Sequence, residues 1–335
     1  MTAPFSYVRV GDNLDAVLDT ATPESQLLAG GTTLIDLMRL GVMKPARLLD
    51  INRLPLAKID ETPQGLSIGA LARNSDLAHH PAVRRRFPAL SQALLSGASP
   101  QLRNMATTAG NIMQRTRCPY FRDVGVAACN KRNPGSGCAA EEGYTRQHAV
   151  LGGSAHCIAV HPSDMCVALV ALDAVVHVRG HYGTPIDGAT AREIPMASFH
   201  LAPGTTPERE TSIGHGELIT HVTLPATALA ARSVYVKARD RASYAFALAS
   251  AAVALQIEEG KIRAARVALG GVATKPWRSA DAEQALVGHQ PSDATFASAA
   301  DAALASATPR PDNRFKVPLA KAIIIRALER AREMT

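Results

Sequence analysis

The chain has 335 residues, of which 47% are hydrophobic and 4% aromatic, and its formal net charge is +7. The length suggests two or three compact units, while the hydrophobic content excludes a disordered chain. No run of eighteen uncharged apolar residues occurs, so a membrane span is not expected. The densest basic run, Arg84–Arg86, has the helical pattern of a solvated face, and the few aromatic residues leave little material for base stacking, so nucleic-acid binding is not expected.

The first residues, Met1–Pro4, lead directly into the strand-like alternation Tyr7–Val10. Neither a basic segment nor an apolar segment of the kind that marks secretory signals precedes this alternation. We therefore expect no export signal on the chain itself. The excess positive charge favours an acidic protein partner.

The apolar pattern of residues 1 to about 55 predicts a small lobe of alternating strands and helices. Its expected strands are Ser6–Val10, Gln26–Ala29 and Arg47–Ile51, and its expected helices are Asn13–Leu18 and Leu34–Met38. The motif Gly30-Gly31-Thr32-Thr33 joins a strand to a helix, and such a junction favours phosphate because glycine has no Cβ and a helix start has unpaired N–H groups. An ordinary turn is the alternative reading of so short a motif. The motif is not the G-x-G-x-x-G fingerprint, so a Rossmann fold is not supported.

Residues from about 56 to 226 predict a second lobe. Its expected strands are Gly65–Ala70, Ala174–Val178 and Glu217–Leu224, and helices are expected from Pro88 and over Asp164–Leu172. Ser75 is expected to cap a further helix that runs through His79 to Arg86.

Residues 227–335 predict a smaller α+β unit. Its expected strands are Val234–Val236, Ala251–Ile257 and Ile262–Leu269, and its expected helices are Ala280–Leu286, Ser292–Ala305 and Leu319–Arg332. The sequence Glu258-Glu259-Gly260-Lys261 between two of the strands predicts a hairpin.

All five cysteines lie between Thr107 and Cys166. This clustering of an odd number does not suggest a disulfide framework, and the spacing fits no ferredoxin or zinc-ribbon pattern, so zinc, an iron–sulfur cluster and unliganded thiols all remain open. The first four stand beside turn-forming residues that let a loop bring its sulfurs inward, whereas Cys166 lies in an apolar run typical of a structural thiol. We therefore assign four metal ligands, which are Cys118, Cys129, Cys138 and Cys157.

The loop that carries these cysteines is basic. Its cations are Arg115, Arg117, Arg122, Lys131, Arg132 and Arg146. A cluster held by four thiolates is anionic, so nearby cations would favour its reduced form and raise its potential, although a solvated surface is the alternative reading for each arginine. His148, His156 and His161 could replace a cysteine as ligand, but hydrogen-bonding or surface roles are more typical of such residues.

Three short motifs, Ala29–Leu34, Thr107–Ile112 and Pro162–Asp164, together resemble the flavin subunit of the xanthine dehydrogenase and molybdenum hydroxylase family in order and spacing. The insertion from Cys118 to Cys157 is similar to that of the periplasmic aldehyde oxidoreductase flavin subunits. That subgroup binds FAD and, unlike most of the family, a [4Fe-4S] cluster, so the resemblance implies both cofactors here.

The resemblance implies an α+β fold with two domains. Residues 1–226 would form an FAD-binding domain of the vanillyl-alcohol-oxidase (PCMH-like) type in two α/β lobes, about 1–55 and 56–226. The iron–sulfur insertion would occupy about 114–160, and residues 227–335 would form a C-terminal domain like that of CO dehydrogenase flavoproteins.

The resemblance also implies the FAD-binding residues. Those of the first motif, expected at the pyrophosphate, are Ala29, Gly30, Gly31, Thr32, Thr33 and Leu34. Those of the second motif, expected on the other side of the cofactor, are Thr107, Thr108, Gly110 and Asn111. Asp164 would hold a polar end of the cofactor, and Lys237 would approach the flavin ring, where a cation stabilises anionic reduced flavin.

The family's electron path implies the function of the chain. It would be the FAD and [4Fe-4S] subunit of a molybdenum-dependent aldehyde oxidoreductase, with a large molybdenum-cofactor subunit, a small [2Fe-2S] subunit and an external electron acceptor as partners. No residue of this chain is then expected to be catalytic in aldehyde oxidation. The complex would be periplasmic by co-export with a partner that bears a twin-arginine signal, or cytoplasmic.

Three alternatives stay open at this point. The chain could be the flavin subunit of a complex like hydroxybenzoyl-CoA reductase, which runs electrons towards substrate reduction. It could be a self-contained FAD oxidase, or a non-enzymatic binding module held together by zinc.

Overall fold

The computed structural model describes residues 2–180, 191–214 and 216–334, and within these ranges it has the mixed α+β architecture that the sequence predicts. The strands are β1 (Ser6–Arg9), β2 (Ser25–Leu28), β3 (Arg47–Asp50), β4 (Ile59–Thr62), β5 (Gly65–Gly69), β6 (Val175–Gly180), β7 (Ala191–Pro195), β8 (Glu217–Pro225), β9 (Ser233–Ala238), β10 (Ala249–Glu258), β11 (Lys261–Gly270) and β12 (Trp277–Arg278).

Most helices are short. They are α1 (Leu14–Thr20), α2 (Leu34–Arg39), α3 (Asn74–His79), α4 (Pro81–Arg86), α5 (Pro88–Ser96), α6 (Pro100–Met105), α7 (Thr108–Ile112), α8 (Pro119–Arg122), α9 (Asp164–Ala171), α10 (Met196–Phe199), α11 (Ala228–Ala231), α12 (Ala280–Leu286), α13 (Asp293–Ala303) and α14 (Lys316–Glu333), with a 3-10 turn at Pro311–Asn313. None of the described helices is long and apolar enough to cross a bilayer.

The N-terminal sheet has the strand order β1-β3-β2, with parallel pairing throughout. Asn13 caps α1 by accepting the N–H of Asp15 at 2.9 Å, and the buried face of α1 packs Val17 and Leu18 towards Leu49 of β3. Parallel strands need a crossover, and α1 and the segment through α2 provide the two connections. Strand β2 therefore ends where α2 is about to begin.

The second sheet is antiparallel, with the order β4-β5-β8-β6-β7. Its core includes α5 and α9, and every residue of α9 is buried because the helix is apolar on all sides after Asp164. Ser163 caps α9 by accepting the N–H of Cys166 at 3.1 Å. The core thus fixes the N-terminal end of α9, where the third motif lies.

The prediction of a single helix capped by Ser75 and running through His79 to Arg86 is wrong. The structure has two helices, α3 and α4, which are separated at His80, and the N-cap of α3 is Arg73 without a side-chain hydrogen bond. The reason is Pro81, which has no N–H to donate and disfavours helical dihedrals at the residue before it; His80 has φ −60° and ψ 129°.

The C-terminal sheet has the order β12-β11-β10-β9 and is antiparallel. The predicted hairpin is present, with Glu259 and Gly260 both at positive φ between β10 and β11. One face of the sheet packs against α12 and α14, and α13 packs on these two helices. Strand β9 also contacts α5, and β10 and β11 contact α9, of the preceding lobe. The start of α9 therefore lies beside the C-terminal sheet.

Residues 113–163 have little regular structure. Besides α8, the segment contains isolated bridges that pair Cys129 with Cys138 and Ser154 with Cys157. Side-chain bonds hold it: the Arg132 guanidinium donates to the carbonyls of Tyr120 (2.9 Å), Phe121 (2.7 Å) and Val126. The cysteines are thus mounted on a loop shaped by turns and side chains.

Candidate functional site

A cavity of about 390 Å³ lies where β2 gives way to α2; we call it the glycine cavity, and its walls include Ala29–Leu34, Thr107 and Gly110. A Cβ on Gly30 would lie 2.0 Å from the carbonyl oxygen of Met105, and Gly31 has φ +71°. Both positions therefore require glycine, and the backbone of this wall is bare of side chains. The N–H of Ile35 in α2 already donates to the carbonyl of Gly31 at 3.0 Å, so it is the bare backbone of the turn before α2 that suits a phosphate or pyrophosphate.

A second cavity of about 290 Å³ lies between the start of α9 and the C-terminal sheet; we call it the Asp164 cavity. Its walls include Asp164, Phe246 and Gly271. The two cavities share Thr116, Val160 and His161 as wall residues and are therefore neighbours; we call the two together the elongated site. An extended dinucleotide such as FAD, with its phosphates at the glycines, would reach from one cavity to the other.

Asp164 is held by two residues of β9. Its Oδ1 accepts the hydroxyl of Tyr235 at 2.5 Å, and its Oδ2 lies 2.7 Å from Nζ of Lys237. Burial and the Asp164 charge raise the pKa of Tyr235 well above its ordinary value, so the phenol stays protonated and donates. The Lys237 side chain is 3% exposed and lines neither cavity, so the lysine meets the site through Asp164.

His161, Cys166 and His200 have potential ligand atoms within 4.8 Å of one another. The hydrogen bonds oppose a metal here. Nδ1 of His161 accepts the N–H of Ser163 (3.3 Å), which puts the proton of the neutral imidazole on Nε2, where a metal would need a lone pair. Burial lowers the pKa of His161 and lowers that of His200 to about 4, so both rings are neutral, and Nε2 of His161 is a buried donor without a partner in the described chain.

The four cysteines assigned as ligands line one small cavity, which we call the thiol cavity. Burial, with smaller contributions from neighbouring thiols, raises the pKa of Cys118 to about 12 and also raises the pKa of Cys138 and of Cys157. These thiols are therefore protonated and inert unless a metal replaces their protons. Cys166 does not line this cavity; it is fully buried in α9, and burial raises its pKa to about 12.

The spacing of the four sulfurs bears on the kind of metal. Tetrahedral zinc with Zn–S bonds of about 2.3 Å brings its sulfurs to about 3.8 Å from one another. Among the described residues no three of these thiols meet even a mutual limit of 4.8 Å. The set is therefore more open than a tetrahedral zinc site, although the cavity between the thiols has a volume of only about 10 Å³.

Most of the predicted cations around the thiol cavity are paired. Arg115 and Lys131 lie 2.8 and 3.3 Å from Glu210, and Arg117 and Arg122 lie 3.1 and 2.9 Å from Asp36. The charge of Lys131 acts to lower the pKa of Cys157 against the larger effect of burial. The cations therefore stabilise the conformation of the loop through ion pairs, in addition to placing positive charge near the thiols.

The thiol cavity shares walls with both other cavities. Cys157 lines the thiol cavity and the glycine cavity, whereas Cys118 lines the thiol cavity and the Asp164 cavity. Behind them, Leu37 of α2 packs with Phe121 and Cys129 in one apolar cluster. A dinucleotide and a metal cluster bound here would therefore be adjacent, which is the geometry that electron transfer between them needs.

Besides Lys237, two residues of the predicted set lie behind the cavity walls. The Thr108 hydroxyl donates to the carbonyl of Ala72 at 3.1 Å, and Oδ1 of Asn111 accepts the Ser163 hydroxyl at 2.7 Å. Neither lines the two large cavities. Asn111 instead ties the second motif to the third.

The sequence reasoning did not assign several wall residues of the elongated site. They are Thr116, Val160, His161, Phe246 and Gly271. His161 directly precedes the third motif, and this position in the sequence could have indicated that it lines the site. Phe246 and Gly271 come from the C-terminal unit, and no local pattern marks them.

Comparison with known proteins gives a consistent picture. Residues 3–227 match the family model described as the FAD binding domain in molybdopterin dehydrogenase, and residues 233–331 match the CO dehydrogenase flavoprotein C-terminal domain. The chain is 52% identical over 330 residues to the aldehyde oxidoreductase FAD-binding subunit PaoB of Escherichia coli (strain K12), and the match covers 98% of each chain. It is 28% identical over 313 residues to the glyceraldehyde dehydrogenase medium chain of Sulfolobus acidocaldarius, with 92% of this chain and 90% of the relative covered.

A solved structure agrees with these relatives. A chain of carbon monoxide dehydrogenase from Hydrogenophaga pseudoflava superimposes with a TM-score of 0.75 at 26% identity, with 99% of this chain and 98% of that chain covered.

Proposed function

Because the chain belongs to the family of FAD binding domains in molybdopterin dehydrogenases, we propose that it is the FAD- and [4Fe-4S]-containing electron-transfer subunit of a molybdenum-dependent aldehyde oxidoreductase. Its partners are a large molybdenum-cofactor subunit and a small [2Fe-2S] subunit, and it passes their electrons to an external acceptor. The aldehyde class rests on the 52% identity to the Escherichia coli aldehyde oxidoreductase subunit and on the glyceraldehyde dehydrogenase relative.

The chain's own residues fit FAD. The backbone of Ala29–Leu34 would bind the pyrophosphate, because Gly30 and Gly31 keep side chains away from the amides. Asp164, fixed by Tyr235 and Lys237, keeps a negative charge in the wall of the second cavity. His161 lines both cavities, at the point where a cofactor would pass from one to the other.

The four cysteines around the thiol cavity fit an iron–sulfur cluster. The single observation that carries this part of the proposal is the pair of shared walls, Cys157 with the glycine cavity and Cys118 with the Asp164 cavity. When bound, FAD supplies a two-electron carrier and the [4Fe-4S] cluster a one-electron carrier. The chain contributes positioning, burial and charge, and it needs no general base of its own.

The same proposal divides the chain into an FAD-binding domain of residues 1–226, with the insertion at about 114–160, and a C-terminal domain of residues 227–335. The ranges matched by the two family models support a boundary near this point.

The decisive experiment is Cys129→Ser in the complex purified with its partner subunits. We expect the substitution to remove the four irons of one cluster while FAD content stays near that of the wild type, because Cys129 packs with Leu37 and Phe121 but does not line the glycine cavity. Iron and FAD are measured on the same preparation by metal analysis and by flavin release.

The matched control is Cys166→Ser, which alters a buried thiol outside the thiol cavity and should keep both cofactors. Zinc in place of iron in the isolated wild-type chain would overturn the iron–sulfur part of the proposal. Absence of FAD from the wild type would overturn the whole.

A further inference from the structure

His148 is a buried histidine in direct contact with a proposed cluster ligand. Its Nε2 lies 3.3 Å from Sγ of Cys118, within hydrogen-bond distance for a sulfur acceptor. The residue is 2% exposed, and it also borders the Asp164 cavity. The imidazole therefore stands where the thiol cavity and the elongated cofactor site meet.

The backbone of His148 is fixed on both sides. Its N–H donates to the carbonyl of Thr145 at 2.8 Å. Its carbonyl accepts from Nζ of Lys316 at 3.0 Å and from Nδ2 of Asn313 at 3.3 Å. Tyr120 lies against the ring, with the centroids 5.8 Å apart. The backbone of His148 is thus fixed by Thr145, Asn313 and Lys316, and its ring packs beside Tyr120, which lines the thiol cavity.

The hydrogen bonding also selects the tautomer. Nε2 of His148 is the ring nitrogen that faces the Cys118 sulfur, at 3.3 Å. A proton on Nδ1 would turn the lone pair of Nε2 towards that sulfur, whereas a proton on Nε2 is donated to it, because a metal-bound thiolate is an acceptor. The favoured state is therefore Nε2–H···Sγ.

We propose that His148 donates its Nε2–H to the metal-bound sulfur of Cys118 and thereby raises the reduction potential of the cluster relative to a chain without this donor. The inference rests on the proposed [4Fe-4S] cluster. A hydrogen bond to a ligand sulfur stabilises the more negative, reduced cluster, so it shifts the potential upwards. Cys118 is the ligand that borders the Asp164 cavity, so the effect acts on the side of the cluster that faces the FAD site.

The test is a redox titration of the intact complex, followed by low-temperature EPR, for the wild type, His148→Phe and His148→Gln. The [2Fe-2S] signals of the partner subunit are separated by their different temperature dependence. His148→Phe should retain its iron and titrate at a lower midpoint potential than the wild type. His148→Gln keeps an N–H donor and should recover part of the shift, which a purely structural role would not do. His289→Phe, at an exposed position that lines none of the three cavities, should leave the midpoint unchanged.

Three other results would contradict either the inference about His148 or the proposed cluster. An unchanged midpoint in His148→Phe, with the cluster present, overturns the inference and leaves the proposed function standing. Loss of iron from both His148 variants, with FAD retained, also overturns it, because the histidine is then needed to retain the cluster and does not merely adjust its potential. A wild type without any [4Fe-4S] signal refutes the proposed cluster itself.

Discussion

At the scale of single residues, the shape of the glycine cavity depends on two wall positions that have no side chain. Gly30 packs its backbone directly on Met105, and Gly31 adopts a left-handed conformation that L-residues with a Cβ rarely take. The folded chain therefore requires glycine at both positions for steric reasons, whether or not a ligand is bound.

We expect Gly30→Ala to lower the free energy of unfolding by about 1–3 kcal/mol, the usual range for forcing atoms into a packed site, and to reduce FAD content. The cause is the position of the new Cβ, 2.0 Å from the Met105 oxygen. Gly11→Ala is the matched control, since no atom lies within 4 Å of its added Cβ. Urea unfolding and flavin release measure the two effects, and equal behaviour of the two variants would contradict the steric account.

A buried ion pair sets the environment of the Asp164 cavity. Lys237 and Asp164 are 3% and 8% exposed, so neither charge has much access to water. Removing one partner leaves the other buried and unpaired, which typically costs about 3–5 kcal/mol.

Asp164→Asn should therefore be strongly destabilising, and the double variant Asp164→Asn/Lys237→Met should be more stable than Asp164→Asn alone. Urea unfolding of the wild type, both single variants and the double variant gives the coupling energy. If the double variant is no more stable than Asp164→Asn, the pair is not the reason for the loss.

At the scale of elements, α14 connects the C-terminal sheet to the cysteine loop through one residue. Lys316 is fully buried in the first turn of α14, and its ammonium donates to the carbonyls of His148 (3.0 Å) and Gly271 (2.7 Å). Both of these acceptor residues line the Asp164 cavity, so the helix fixes two parts of the wall of that cavity.

Lys316→Met should leave the two carbonyls with fewer donors, at about 1–3 kcal/mol for a buried acceptor left unsatisfied. Lys321→Met, on the same helix but with a side chain 38% exposed, should change stability little. Urea midpoints compare the two variants, and similar losses in both would show that α14 responds to the loss of any lysine.

The stability contribution of Lys316 should also depend on pH. Burial, assisted by the charge of Arg146, lowers the pKa of Lys316 from 10.5 to about 7. Between these values the unfolded chain binds a proton that the folded chain does not, so the stability of the wild type relative to Lys316→Met should rise as pH increases from about 7 to about 10.5 and be lost as pH falls through that range. Paired urea titrations across this interval measure the difference, and a flat difference would rule out the depressed pKa.

At the scale of the whole molecule, a loop with little regular structure lies between two lobes and the C-terminal sheet. Arg310 bonds Glu141, and the Asp312 carboxylate accepts the N–H of Thr145 at 3.0 Å, so the C-terminal unit holds the loop from outside. The proposed cluster would hold it from inside.

Loss of iron should therefore loosen the loop selectively. In Cys129→Ser, amide hydrogen exchange should speed up across residues 114–160, while β10, whose first seven residues are all buried, keeps its protection. Hydrogen-exchange mass spectrometry of the variant and the wild type makes the comparison. A uniform increase over both regions would mean that the cysteine supports the global fold instead of the loop.

Local sequence determined much of this fold, because helix caps, turns and apolar periodicity act over a few residues. The Gly260 hairpin, the strand before Gly30 and the buried helix after Ser163 follow from such patterns, and the family motifs indicated the FAD fold. Pro81 also marks the break at His80 in the local sequence. The prediction of one helix was wrong because it relied on Ser75 as a cap and did not allow for the proline.

Only the tertiary structure decided which groups meet. The sequence marked Lys237 as a cation for the flavin ring, but not its pairing with Asp164, 73 residues away. It marked the cysteines, but not that Cys118 and Cys157 each border a different part of the cofactor site. Such contacts depend on how separate elements pack, and packing is set by the shape and burial of the whole core, which no local run of residues specifies.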